Sequence, residues 1–234
     1  MTLGEIKAEA LRLMHIDMDV DAETVGNIEF DDNFGVLYSG IVGAVNRALS
    51  DLEARRILPL KRALLGEAYS RRPQNGASRT SQNGASRTSP PTVEVCEAVA
   101  GQVVYFPLDG IADLSLPARL TVIGEGYVVE DCPYTFEAGR LRVMDYDKGA
   151  AYELLYHPRP ARVKRDTPNG TVLEIPEVLV AALPYYVKAD VFRIDEPGEA
   201  NDARNWYENA VAQYASLLHN GPQGSVINAF EGVF

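Results

Sequence analysis

The spacing of apolar residues changes twice along this chain, and each change decides what the segment can fold into. From Thr2 to Met14, and again from about Asn33 to Ile57, apolar residues recur every three or four positions. From Pro90 to about Arg165 they alternate or run in short blocks, and from Ile175 to Leu218 the longer spacing returns. A helix buries one stripe at a period of about 3.6 residues, whereas a strand buries alternate residues. The expected class is therefore α+β: a helical-bundle core built from both ends of the chain, with a small all-β sandwich or barrel module inserted into it. At 234 residues and 46% hydrophobic, the chain has the material for such cores. The expected divisions are residues 1–70 and 166–220 for the helical core, 71–90 for a flexible loop, 91–165 for the β module and 221–234 for a C-terminal arm.

The helical ends carry their own punctuation. Thr2 and Glu5 form a capping box, after which Leu3, Ile6, Ala10, Leu13 and Met14 share a face, with Glu5, Lys7, Glu9 and Arg12 off it. A second helix is expected over about 33–57, with a stripe of Phe34, Leu37, Ile41, Val45, Ala48, Leu49 and Leu52. Gly40 and Gly43 within it point to a close helix contact, and Pro59 closes it. A third begins at Pro176-Glu177; Pro184 should kink or break it, and Pro197-Gly198 should end it. The last, over about 199–218, aligns Ala203, Tyr207, Ala210, Val211, Tyr214, Leu217 and Leu218. Trp206 stands one position off that stripe, which suits an interface better than a core. Trp206 with Tyr207 is accordingly the candidate subunit interface.

Between the helical stretches, Gly124-Glu125-Gly126 and Glu137-Ala138-Gly139-Arg140 read as hairpin turns among about six short strands. Before them the octapeptide QNGASRTS is written twice without substitution, from Gln74 to Ser89. Its residues cannot bury enough apolar area to offset ordering entropy, so it reads as spacer between the helical core and the β module. With Arg71, Arg72, Arg79 and Arg87 it also reads as a basic arm on an acidic protein, suited to DNA or an acidic neighbour. At the other end, Val226, Ile227, Phe230, Val233 and Phe234 make an apolar tail. Such a tail folds back on its own domain or docks on another chain.

Catalytic signatures are missing from the sequence. His15, His157 and His219 have no zinc-type spacing, and no Walker, dinucleotide or GxSxG pattern occurs. Asp17, Asp19 and Asp21 start like a calcium loop, but Ala22 and Ile28 occupy the positions that need Gly and Glu. Glu125, Glu130, Asp131 and Asp145 are carboxylates that nothing singles out. Cys96 and Cys132 are too few for a disulfide framework, and no cofactor or metal is expected. The N-terminus does not read as a secretion signal, and no apolar run is long enough to span a membrane. The net charge of -11 argues against a surface that grips nucleic acid as a whole, while it suits a wall that DNA slides past.

Three stretches, "MTLGEIKAEALRLM", "YSGIVGAVNRALSDLEARRILPLKR" and "LPYYVKADVFRIDEPGEANDARNWYENAVAQY", together resemble the helical head–tail connector (adaptor, neck) proteins of tailed bacteriophages. The resemblance spans about the first 65 and last 60 residues and leaves out the β module, the duplicated tract and the tail. It implies a structural virion protein: a ring of subunits, commonly twelve, assembled in the host cytoplasm beneath the portal protein. The ring would extend the channel through which genomic DNA passes and dock the next neck or tail protein. It also implies that the Val226–Phe234 tail docks on the portal or an adjacent subunit. The inserted β module departs from the smaller family pattern. A second expectation is therefore that this module binds carbohydrate or a host surface, with the helices only attaching it to the virion.

Overall fold

The computed structural model describes residues 1–14, 35–66, 68–73, 93–97 and 101–220. The acidic stretch Asp17–Asp21, Phe34, Arg79, Arg87 and the apolar tail lie outside these residues. Helices and two antiparallel sheets make the protein α+β. It divides into two compact units, residues 1–59 with 159–234 and residues 60–158. The second unit thus interrupts the first in sequence.

The helical unit contains α1 (Leu3–Leu13), α2 (Gly35–Ala54), α3 (Glu177–Val191) and α4 (Pro197–Asn220) among the described residues. Thr2 caps α1 through the Glu5 amide, and the Glu5 carboxylate accepts from the Thr2 amide at 2.7 Å. The next free amides at this end are not left to water. Leu3 N–H donates to the Thr171 carbonyl and Gly4 N–H to that of Asn169, both at 2.8 Å, which docks the helix start on the 169–172 turn. Helix α3 contacts α1, α2 and α4, so it is apolar nearly all round. Its Leu179, Leu183 and Val187 meet Leu3, Ile6, Ile41, Val45, Leu49 and Tyr207 in one buried cluster.

Several helical expectations need correction. Lys7, placed off the core face, is only 1% exposed, and its Nζ donates to Asn169 Oδ1 at 2.9 Å. Seven residues of α1 are buried because α1 is covered on more than one side, so the polar-face rule fails there. Gly40 and Gly43 do not mark a helix contact: a Cβ at Gly40 would meet nothing within 4 Å, and the three atoms nearest a Cβ at Gly43 all belong to the Arg47 side chain of the same helix. Pro184 does not break α3, which runs on through it to Val191; the amide that proline lacks is one missing bond in a helix held by packing. Pro197 does not end a helix but begins α4, where a missing N–H costs nothing.

The segment that re-enters the helical unit is clamped to α2. The Asn46 side chain donates to the Val163 carbonyl at 2.7 Å and accepts from the Val163 amide at 2.9 Å. Arg162 donates to the Asn46 carbonyl at 2.7 Å, and Glu53 pairs with both Arg159 and Arg162.

The β unit holds two sheets. In the first, β1 (Lys61–Leu64), β9 (Ala151–Pro158), β5 (Leu114–Gly124) and β6 (Tyr127–Val129) lie in that order. In the second, the order is β3 (Val93–Glu97), β2 (Tyr69–Pro73), β4 (Val104–Pro107), β8 (Arg140–Val143) and β7 (Tyr134–Glu137). Alternation sends Leu120, Val122, Tyr152, Leu154 and Tyr156 of one sheet into the same cluster as Val104, Phe106, Leu141 and Val143 of the other. Pro117 sits in β5 beside a register shift, where a strand tolerates a missing donor. The two expected hairpins are present: β5–β6 closes at Gly124↔Tyr127, with Gly126 at φ 80°, and β7–β8 closes at Glu137↔Arg140. Ala138 and Gly139 both take positive φ in the second turn, as a tight hairpin of this twist demands.

The β unit begins earlier than the sequence suggests. Strands β1 and β2 fall inside the stretch assigned to the helical core and its loop, and the β unit ends at Pro158 rather than near 165. The QNGASRTS tract consequently does not join the helical core to the β module. It lies between β2 and β3, whose ladder runs to Pro73↔Val93, inside the β unit.

Candidate interaction surface

Tyr207 and Trp206 are neighbours on α4 that face opposite environments. Tyr207 is fully buried, with its hydroxyl donating to Asp51 Oδ2 at 2.8 Å. Its ring lies edge-on to Tyr186 at 4.9 Å between centroids. Burial, reinforced by the bond to Asp51, pushes the Tyr207 phenol far above its ordinary range, so it stays a neutral donor. Tyr207 is therefore core and not subunit interface, which corrects the expectation: it sits on the stripe that faces α2. Around it, Arg55 grips Glu208 with two bonds of 2.6 and 2.8 Å and also pairs with Asp51 at 2.8 Å. Hydrogen bonding from Arg55 holds the Glu208 carboxyl below its usual value. Arg204 adds a bond to Glu208 at 3.0 Å and stacks over Tyr186 at 4.7 Å. This network ties α2 to α4.

Trp206 points the other way and is 65% exposed. Its indole stacks on Tyr185 of α3, with centroids 6.1 Å apart and planes 28° from parallel. Tyr185 in turn lines a groove of about 650 Å³ between α1 and α3, together with Met1, Ala8 and Ala181; Glu5, Glu9 and Arg12 complete its lining. Val178, one turn before Ala181, is exposed as well. Leu217 and Leu218, expected on the buried stripe of α4, are instead 67% and 48% exposed. Among the described residues, the partners that cover the first turns of the helix do not reach these two leucines.

The other candidate residues are scattered. Arg71 and Arg72 are not in a loop but on β2, opposite Val95 and Glu94 of β3. Glu125, Glu130, Asp131 and Asp145 are all exposed, and Asp131 and Asp145 hold left-handed backbone positions that Asp tolerates in turns. Among the described residues no group of three His, Cys, Asp or Glu could hold a metal ion, and no described helix is long and apolar enough to cross a membrane. Cys132 carries a free thiol, raised above its ordinary value by burial.

The chain matches no protein-family model and no curated protein.

Sequence reasoning missed one polar site in the β unit. Asp113 accepts from Lys61 Nζ at 2.7 Å and from the Tyr156 hydroxyl at 2.8 Å, joining β1, β9 and the turn before β5. The hydrogen bond from Lys61 holds the Asp113 carboxyl below its ordinary value. No spacing rule finds such a site, because its three residues come from segments far apart in sequence.

Proposed function

We propose that this protein is a structural component of a tailed-phage virion: a head–tail connector whose copies form a closed ring beneath the portal protein. The ring, commonly of twelve subunits in the family it resembles, extends the DNA channel and docks the next neck or tail protein. In this role the helical unit is an adaptor bundle, and the β unit is an inserted sandwich carried on it. The observation that supports this most is the coincidence of the resemblance with the helical unit: both draw on the two ends of the chain and omit the middle. The exposed Trp206–Tyr185 pair supports it further, since an aromatic pair beside an apolar groove suits contact with a neighbouring copy. The net charge of -11 suits a channel that DNA must leave without sticking. The apolar residues Val226 to Phe234 supply an arm for the portal, and the basic segment with Arg79 and Arg87 supplies a contact for DNA or an acidic neighbour. Measuring particle mass for the purified chain, alone and mixed with the portal protein, tests the ring. Discrete closed particles of many copies are expected; a chain that stays monomeric in both mixtures contradicts it.

One observation favours a second reading, a virion-attached binding module. Tyr127, Val128, Val129 and Phe136 are exposed on strands β6 and β7 of the β unit, and exposed aromatic and apolar residues suit a carbohydrate or host-surface contact. Binding of purified protein to a glycan panel, abolished by Tyr127→Ala with Phe136→Ala, would favour this module over the ring.

A further inference from the structure

Helix α4 carries an apolar strip that leads from its C-terminal end to the Tyr185 groove. Eleven residues separate Trp206 from Leu217, which at about 100° per residue returns Leu217 to within roughly 20° of Trp206 around the helix. Between them Ala210 is partly buried against the core, and Gln213 is exposed. At the far end the strip meets Tyr185 and hence the groove that Ala181, Ala8 and Met1 line. An exposed indole and an exposed leucine on one helix face, with a groove lined by Met1, Ala8, Ala181 and Tyr185 beside Glu5, Glu9 and Arg12, form a surface of the kind that monomers seldom leave open.

The chain itself provides an occupant of the right length. Fourteen residues, 221–234, follow Asn220, beginning Gly221-Pro222-Gln223-Gly224 and then bearing Val226, Ile227, Phe230, Val233 and Phe234. Trp206 stands about 21 Å back along the helix from Asn220, at a rise of about 1.5 Å per residue. A chain that turns back over Gly221–Gly224 has the six residues Ser225 to Phe230 to cover this distance, at most roughly 20 Å when extended, so Phe230 comes level with Trp206 and the other apolar residues lie along Leu217 and the Tyr185 groove. A short Gly-containing linker gives a tethered segment an effective concentration in the millimolar range, far above that of a second copy in dilute solution. We propose that in the free chain residues 221–234 fold back along their own α4 and seat Val226, Ile227, Phe230, Val233 and Phe234 over Trp206 and in the Tyr185 groove. This goes beyond the connector reading and does not rest on it.

Trp206 is the only tryptophan in the chain, so its fluorescence reports this contact directly. The test compares the full chain with a form ending at Asn220 and with full-length Phe230→Asp and Phe234→Asp variants, each checked for native circular dichroism. Emission and iodide quenching are read from micromolar down to nanomolar protein. The full chain should emit to the blue of all three, with quenching about threefold weaker because the covering residues exclude water and quencher. Shielding should persist at every concentration. Equal spectra and quenching in all four proteins would overturn the proposal. Shielding lost on dilution, with a larger mass at high concentration, would overturn it too and assign the groove to a second copy. Either failure leaves the ring measurement untouched.

Discussion

At the residue scale, one step along α4 separates a core tyrosine from a surface tryptophan. Tyr207 is anchored by its contacts with Asp51 and Tyr186, so its substitution should change stability and not association. Tyr207→Phe should cost about 1–2 kcal/mol, since Asp51 loses a buried donor. Tyr207→Ala should cost about 3–5 kcal/mol by opening a cavity. Urea unfolding checks both; a Tyr207→Ala protein of unchanged stability would return this residue to the surface. The sequence placed Tyr207 on the right stripe, but hydrophobicity alone could not say that its hydroxyl bonds to the half-buried Asp51. Lys7 shows the same limit: a lysine on α1 reads as solvent-facing until the 169–172 turn closes over it with the Asn169 acceptor.

Asp113 supplies a pH dependence at this scale. Its folded pKa lies below the ordinary 3.8, chiefly through its hydrogen bond from Lys61. A depressed carboxyl stabilises the fold above its unfolded value and loses that contribution as pH falls through the folded value. Stability should therefore decline below about pH 4, and Asp113→Asn should flatten that part of the curve. Thermal melts between pH 2 and 6 check this; parallel curves for the two proteins would remove Asp113 from the account.

At the element scale, the strands that the sequence revealed are those with alternating apolar residues or a glycine turn. The β7–β8 hairpin was legible because Ala138-Gly139 sits between two short apolar runs, and the structure twists that turn with two positive φ angles. Strands β1 and β2 were not legible: "KRAL" and "YSRRP" offer too few apolar residues to alternate, and they are recruited by pairing with β9, β3 and β4. That pairing relocates the duplicated tract. Residues 74–92 follow directly on the Pro73↔Val93 pair, nineteen residues between partnered ends. Deleting one copy of QNGASRTS leaves eleven. Loop closure scales with the logarithm of length, so stability should hold or rise by about 0.5 kcal/mol. Denaturant midpoints of the two forms check this, and a loss of more than 1 kcal/mol, about twice the expected term and of opposite sign, would show that the tract takes part in packing.

At the scale of the whole molecule, α+β character was legible from periodicity, because helical spacing dominates the two ends of the chain and strand-like alternation its middle. The unit boundaries were not, since the chain crosses from one unit to the other next to Pro59 and Pro158 without a glycine-rich linker, and the first crossing falls ahead of strands too polar to read as β. The surface is harder still to read from sequence. Exposure of Leu217 and Leu218 depends on which helix ends first, and helical spacing alone gave them to the core. A connector subunit must present such apolar surface to neighbours, and the Trp206–Tyr185 face with its adjoining groove meets that need. The most direct test of the central claim is electron microscopy of lysates from phage in which this gene is disabled. A connector requires packed or emptied heads lying beside free, complete tails, restored to whole virions when the gene is supplied in trans. Intact virions that fail to adsorb would contradict the connector and assign the protein to host binding through its β unit.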